Sequence, residues 1–225
     1  MTTKTPVGAG SAPTHDRILT AASRLFAING FHGTSTRDIA DAVGIRQPSL
    51  FHHFATKHAI LATLLNLDLD QLTRRMKLIA KSSESSAVKL HAHLALDVTH
   101  VLEFPFDVRG LYFKNEEVPA GEEFSEQRKK LESVHRQIRS LVKSAISDGQ
   151  FGVINPEFVR LLVSSTIIGV MWTRGPDPTR GSSTRSHELP DFVLRALLER
   201  PDDLEVIKKE SETLQHSVRE RLQTE

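Results

Sequence analysis

Apolar residues recur along this chain at helical spacing, and no stretch shows the two-residue alternation or the Asn-Gly turn of a β-hairpin. The pattern predicts an all-α protein. Its sharpest section lies between Thr34 and Lys57. Ile39, Ala40 and Val43 share one face of a short helix with Thr36 as its N-cap, and Gly44 supplies the left-handed residue that ends it. Ile45 restarts the apolar pattern. Proline is tolerated only in a helix's first turn, so Pro48 requires a second helix to begin near Arg46 or Gln47. Leu50 and Phe54, four residues apart, pack that helix onto the one before it.

Beyond this pair, Ile60, Leu64, Leu67, Leu72, Met76 and Ile79 mark one long helix over 56–80, followed by a serine-rich break. Further helices are expected over 86–104, stopped by Pro105, and over 107–114, a short one. After an acidic loop, a long amphipathic helix spans 122–147 with Leu131, Val134, Ile138, Leu141, Val142 and Ala145 inward and its charged half toward water. Two more cover 156–173 and 189–199, joined by a Gly/Pro/Ser-rich loop expected to be flexible, and a last one follows Pro201. The helix over 156–173 is apolar around most of its circumference, more than a surface helix of one small domain needs. With Ser165 and Gly169 permitting close approach, it and its successor are the candidates for a homodimer interface; the competing reading is a core helix of a monomer.

Composition narrows the function. At 225 residues and 39% hydrophobic content the chain can bury a substantial core, and the absence of cysteine excludes a disulfide scaffold, thiolate zinc sites and a Cys nucleophile. The first 14 residues lack the apolar core of a signal peptide and read as a disordered polar arm. No apolar run approaches a membrane span, so a cytoplasmic protein without a membrane partner is expected. Net charge is only +1, but residues 1–60 carry six Lys or Arg against three Asp, a surplus of +3.

That surplus gathers where the second short helix begins. Arg46, Gln47, Ser49, Phe51, His52 and His53 surround its start and outer side, and no acidic residue occurs between Asp41 and Asp68. A major groove admits one α-helix, where Arg matches the paired acceptors of guanine, Gln matches adenine's acceptor and donor, and Ser meets either. Arg46, Lys57 and three histidines at 52, 53 and 58 suit a polyanion. A plain helical hairpin with a solvated basic face is the alternative.

The region resembles the DNA-binding domain of the tetracycline-repressor (TetR) family. RILTAASRLFAINGFHGTSTRDIADAVGI, starting at Arg17, is similar to the family's first helix, its Gly-aromatic junction at Gly30 and Phe31, and its second helix; QPSLFHHFATKHAIL is similar to its recognition helix and the start of its long fourth helix. The resemblance implies base contacts from Arg37, Gln47, Pro48 and Ser49, and phosphate contacts from Thr36, Phe51, His52, His53 and Lys57. At Arg46 a small N-cap residue is more usual in the family. The family usually has Tyr where this chain has Phe51, so one phosphate-binding hydroxyl is missing and anchoring there is expected to be weaker. The implied organisation is an arm over 1–14, a helix-turn-helix domain over 15–60, and a helical ligand-binding and dimerisation domain over 61–225.

What the larger domain senses rests on one constellation. His93, Asp97 and His100 fall at i, i+4 and i+7 on the helix over 86–104, beside Leu90, Leu94 and Val101, a spacing that suits polar ligand atoms or a divalent metal, with His135 a further member. Solvent-facing or core-edge polar residues would give the same pattern. No nucleophile elbow, Walker loop, dinucleotide fingerprint or H-E-x-x-H motif occurs, so neither catalytic residues nor a cofactor are expected. The expected function is a sequence-specific regulator, a ligand-released repressor that binds a near-palindromic double-stranded operator as a homodimer and answers to an unknown small-molecule effector. An activator, a co-repressor- or metal-dependent regulator, and more remotely a helical enzyme remain the alternatives.

Overall fold

Caps and glycines divide the chain into its helices. The computed structural model describes residues 13–112, 118–174 and 188–224. Its α-helices are α1 (Thr14–Gly33), α2 (Thr36–Val43), α3 (Gln47–His53), α4 (Lys57–Ala80), α5 (Ser86–Glu103), α6 (Ser125–Ser147), α7 (Pro156–Arg174), α8 (Leu189–Leu197) and α9 (Leu204–Thr224). The fold is all-α: among the described residues there is no strand, only an isolated antiparallel bridge between Phe151 and Leu198. Nor is any described helix long and apolar enough to cross a membrane.

Several boundaries differ from expectation for local reasons. Ser35, not Thr36, caps α2: its hydroxyl accepts from Asp38 N at 3.1 Å while the Asp38 carboxylate accepts from Ser35 N at 2.8 Å. Two reciprocal bonds outweigh the single one Thr36 offers, which makes Thr36 the first helical residue. Gly44 ends α2 with φ 74°, and Gly30 kinks α1 with φ 75°, turning Phe31 into the core. Thr56 caps α4 by accepting from Ala59 N. Of the short helix expected over 107–114, residues 107–112 are described and form a single 3-10 turn, Val108–Gly110, capped by the Asp107 side chain, while 113 and 114 lie outside the described residues. α8 stops at Leu197, before the expected 199, because Leu198 turns to pair with Phe151. The polar arm and the loop after α7 lie mostly outside the described residues, and Thr14, assigned to the arm, already opens α1.

Packing joins the small N-terminal head to the larger body. One apolar cluster runs from Ile18, Phe26, Ile39 and Leu50 in α1 to α3, through Leu61 and Leu65 of α4, to Val101, Val108, Leu111 and Met171. A second fills the body between α5, α6, α7, α8 and α9. Along α4, Ile60, Leu64, Met76 and Ile79 are buried as the pattern implies, but Leu67 is exposed and Leu61, Leu65 and Leu69 take the inward face. A domain boundary at position 60 falls inside α4, which serves both units.

The 3-10 turn locks the two parts together. A Cβ at Gly110 would lie 2.3 Å from the Ser23 carbonyl oxygen and 2.8 Å from Ala27 N, so only glycine lets this turn reach the backbone of α1. Beside it, Asp107 N donates to Ser23 Oγ at 3.2 Å. Gly110→Ala should therefore lower the free energy of unfolding by about 1–3 kcal/mol, the usual range for overpacking, in urea titration followed by circular dichroism.

Candidate functional site

The outward side of α2 and α3 carries the residues expected to meet DNA. Arg37, Arg46, Pro48, Ser49, Phe51, His52 and His53 are exposed, with Phe51 presenting 45% of its surface. Thr36 and Gln47 are half-buried and joined, Gln47 Nε2 donating to Thr36 Oγ1 at 2.8 Å. This bond ties the starts of α2 and α3 together. Inward, Leu50 is fully buried against the head. Arg17, from α1, donates to the Val43 carbonyl and clamps the end of α2.

Lys57 has an internal role that its sequence position did not reveal. Its ammonium donates to the carbonyls of Phe31 at 2.6 Å and Thr34 at 2.7 Å and lies 4.3 Å from the centre of the Phe31 ring. Desolvation by burial pushes its pKa below the usual lysine value, against the opposing charge of Asp38. Two of its three N–H donors are thus committed to the junction between α1 and α2.

In the body, a pocket of about 750 Å³ including its mouth opens between α4, α5, α6 and α7. The three residues singled out on α5, His93, Asp97 and His100, all line it, and His135 joins them from α6. Three further polar residues escaped the sequence reading: Asp68 and Arg75 on α4, and Tyr112 after the 3-10 turn. The signal for the first two was available, since they sit seven residues apart in the otherwise apolar buried stripe of α4.

These groups are paired. His100 Nε2 donates to Asp68 at 2.7 Å, Tyr112 donates its hydroxyl to the other Asp68 oxygen, and Arg75 Nη2 donates to Asp97 at 2.8 Å. Burial pushes the Asp68 carboxyl up, but the hydrogen bond and charge of His100, the Tyr112 hydroxyl and the Arg75 charge outweigh it and hold the group below the usual carboxylate value. His93 lies deepest, 1% exposed, and burial, with help from Arg75 and against Asp97, depresses its protonation. Its Nε2 is 3.7 Å from Asp97, too far for a hydrogen bond. Among the described residues no group of three or more His, Asp or Glu is arranged to hold a metal ion, for Arg75 occupies the Asp97 carboxylate that a metal would need.

A second buried row has the residue types of a catalytic triad. His91 donates from Nε2 to Asp191 at 2.8 Å and accepts at Nδ1 from Ser211 at 2.8 Å. Ser211 is fully buried, so the row serves to pin α5, α8 and α9 together.

Comparison with known proteins places the head and the fold. The family model of bacterial regulatory proteins of the tetR family matches residues 18–64. A transcriptional repressor of Rhodococcus jostii, KstR2, is 30% identical over 178 residues, covering 73% of this chain and 82% of the relative. The solved structure of the ketosteroid regulator KstR2 of Mycobacterium tuberculosis superposes with a TM-score of 0.70 at 23% identity, over 85% of this chain and 99% of that one. AmtR of Mycobacterium smegmatis gives 0.68 at 28% identity, over 90% and 95%.

Base-reading and junction residues should fail differently on substitution. Gln47→Ala should relax discrimination at one base pair by about 1–3 kcal/mol while leaving binding to random duplex unchanged. Lys57→Ala should lower the unfolding free energy by about 1 kcal/mol or more, because two carbonyls lose a charged donor. Gel-shift titrations on specific and random DNA, paired with thermal melts, read both effects. Through its helix-turn-helix head and the relatives it matches along most of its length, this chain belongs to the TetR family of bacterial transcriptional regulators.

Proposed function

We propose that this protein is a homodimeric repressor that binds a near-palindromic operator in the cytoplasm and releases it when a small molecule fills the pocket between α4 and α7. In this reading residues 15–60 form the DNA-reading head and 61–225 the sensing and dimerising body. Arg37, Gln47, Pro48 and Ser49 contact bases; Thr36, Arg46, Phe51, His52 and His53 contact the backbone, together with the third N–H of Lys57. His93, Asp97 and His100 meet the ligand. The name of the Rhodococcus jostii relative, a transcriptional repressor, favours repression over activation.

The observation that carries the proposal is that α4 belongs to both units. Its first residue, Lys57, holds the α1–α2 junction, and eleven residues on, Asp68 lines the pocket. A ligand that moves the pocket wall therefore moves the helix on which the head is mounted. The segment after α5 offers a second route: Tyr112 touches Asp68, Gly110 and Asp107 rest on α1, and Arg174 of α7 donates to the carbonyls of Phe104 and Phe106. An effector that favours the released arrangement tenfold supplies about 1.4 kcal/mol, and operator DNA must weaken effector binding by the same factor.

Dimerisation is supported by the outer face of α7 and α8. Phe158, Leu161, Ile168, Trp172 and Phe192 are 57, 49, 41, 57 and 72% exposed, while the opposite side of α7 packs inward through Val159, Val163, Val170 and Met171. Exposed Gly169 has no neighbour within 4 Å of an added Cβ, so a second helix can approach closely there. Two heads must face half-sites on one side of the duplex, which requires two-fold symmetry. Leu161→Glu with Phe192→Glu should give a monomer in sedimentation, keep the helical circular dichroism signal, and weaken operator binding at least about tenfold. A wild-type monomer with and without DNA would overturn the dimer, and transcription that rises with the protein in a reporter assay would make it an activator.

A further inference from the structure

We propose that the pocket selects an uncharged, largely apolar ligand bearing a carbonyl or hydroxyl oxygen, and that it rejects carboxylates. This rests on the reading of the pocket as the effector site.

The walls set the apolar part. Leu72, Val101, Val134, Ile138, Val163 and Met171, from four helices, line most of the pocket. Each carboxylate at its other side already has a partner: Asp97 bonds to Arg75 at 2.8 Å, and Asp68 to His100 at 2.7 Å. All four side chains are 15% exposed or less, so solvent does little to screen them.

Two buried polar atoms on this wall have no hydrogen-bond partner, Arg75 Nε and His93 Nδ1. They belong to neighbours around Asp97, one bonded to it and the other 3.7 Å from it. The guanidinium Nε–H can only donate, so its complement is an acceptor oxygen. The imidazole can give or take a proton according to tautomer, and so accommodates a carbonyl or a hydroxyl. A ligand oxygen that reaches either atom relieves an unsatisfied buried group, and burial makes that relief count.

Among the described residues that line the pocket there is no lysine and one arginine. The single guanidinium is bonded to Asp97, and two buried aspartates would repel an entering carboxylate as it lost its hydration. An ammonium would meet the guanidinium instead. Selectivity thus arises from a polar wall whose carboxylates are already engaged while two of its buried nitrogens are not.

The test uses the full chain and two ten-carbon probes that differ in their polar end, methyl octyl ketone and decanoate. Titration calorimetry and thermal shift at neutral pH should show the ketone binding at least about tenfold more tightly than decanoate. Equal or tighter binding of decanoate, or no response to the ketone, overturns the proposal. Asp97→Asn removes the carboxylate and frees the guanidinium, so decanoate should then bind as well as the ketone; unchanged selectivity in the folded variant overturns the charge argument. Should that variant not fold, His93→Leu should weaken the ketone about tenfold through loss of one hydrogen bond, and undiminished affinity counts against the proposal. Operator release is measured on the same samples: selective ketone binding without release retains the ligand class and removes the effector role.

Discussion

The arrangement of the body depends on two charged side chains in a buried helical stripe. Asp68 and Arg75 lie on the inward side of α4, each 5% exposed, among leucines that are fully buried. A charge in such a place must be paired or it costs several kcal/mol, and α5 supplies both partners, His100 for Asp68 and Asp97 for Arg75. Moving forward along α4 moves backward along α5, so the two bonds admit only an antiparallel arrangement in one register. Apolar groups in the four positions would not fix that register. The polar pairs hold the helices in place and also keep the centre of the bundle from filling, which leaves the pocket.

The same helix pair explains why head and body are not independent. A head of three short helices has little core of its own, and here its apolar cluster continues through Leu61 and Leu65 of α4 into the body as far as Met171 of α7. At the junction the contacts are directional. Lys57 closes the carbonyl end of α1, and Gly110 brings a turn of the body against the backbone of the same helix. Packed interiors have few alternative arrangements, so head and body share one continuous core.

The outer surfaces divide by chemistry. Around α3 the exposed residues carry no carboxylate, with Phe51 and Pro48 among Arg46, Ser49, His52 and His53, and the carboxylate at the start of α2, Asp38, is engaged in the cap with Ser35. On α7 and α8 they are large and apolar, with Gly169 and Ser165 between them. α7 is apolar on two sides, and the described residues of one chain bury only one of them.

Local chemistry accounts for what could be read in the sequence. The helix-turn-helix was legible because Gly44, Pro48 and the apolar spacing act within a few residues, and its outward residues are left over once Leu50 and Ile39 are assigned inward. The stripe of His93, Asp97 and His100 was legible for the same reason, since helical periodicity alone puts them on one face. Tertiary structure decided what those faces meet. Whether Asp97 faces a metal, a ligand or an arginine depends on Arg75, 22 residues away on another helix. The fate of the Lys57 ammonium depends on where the kink at Gly30 leaves the Phe31 carbonyl. The segment over 107–112 follows this division: its spacing permits a helix, but the described residues form a single 3-10 turn where Gly110 meets α1. Periodicity and capping operate over one or two turns, whereas pairing of buried charge and close backbone approach are settled only when distant segments share the same interior.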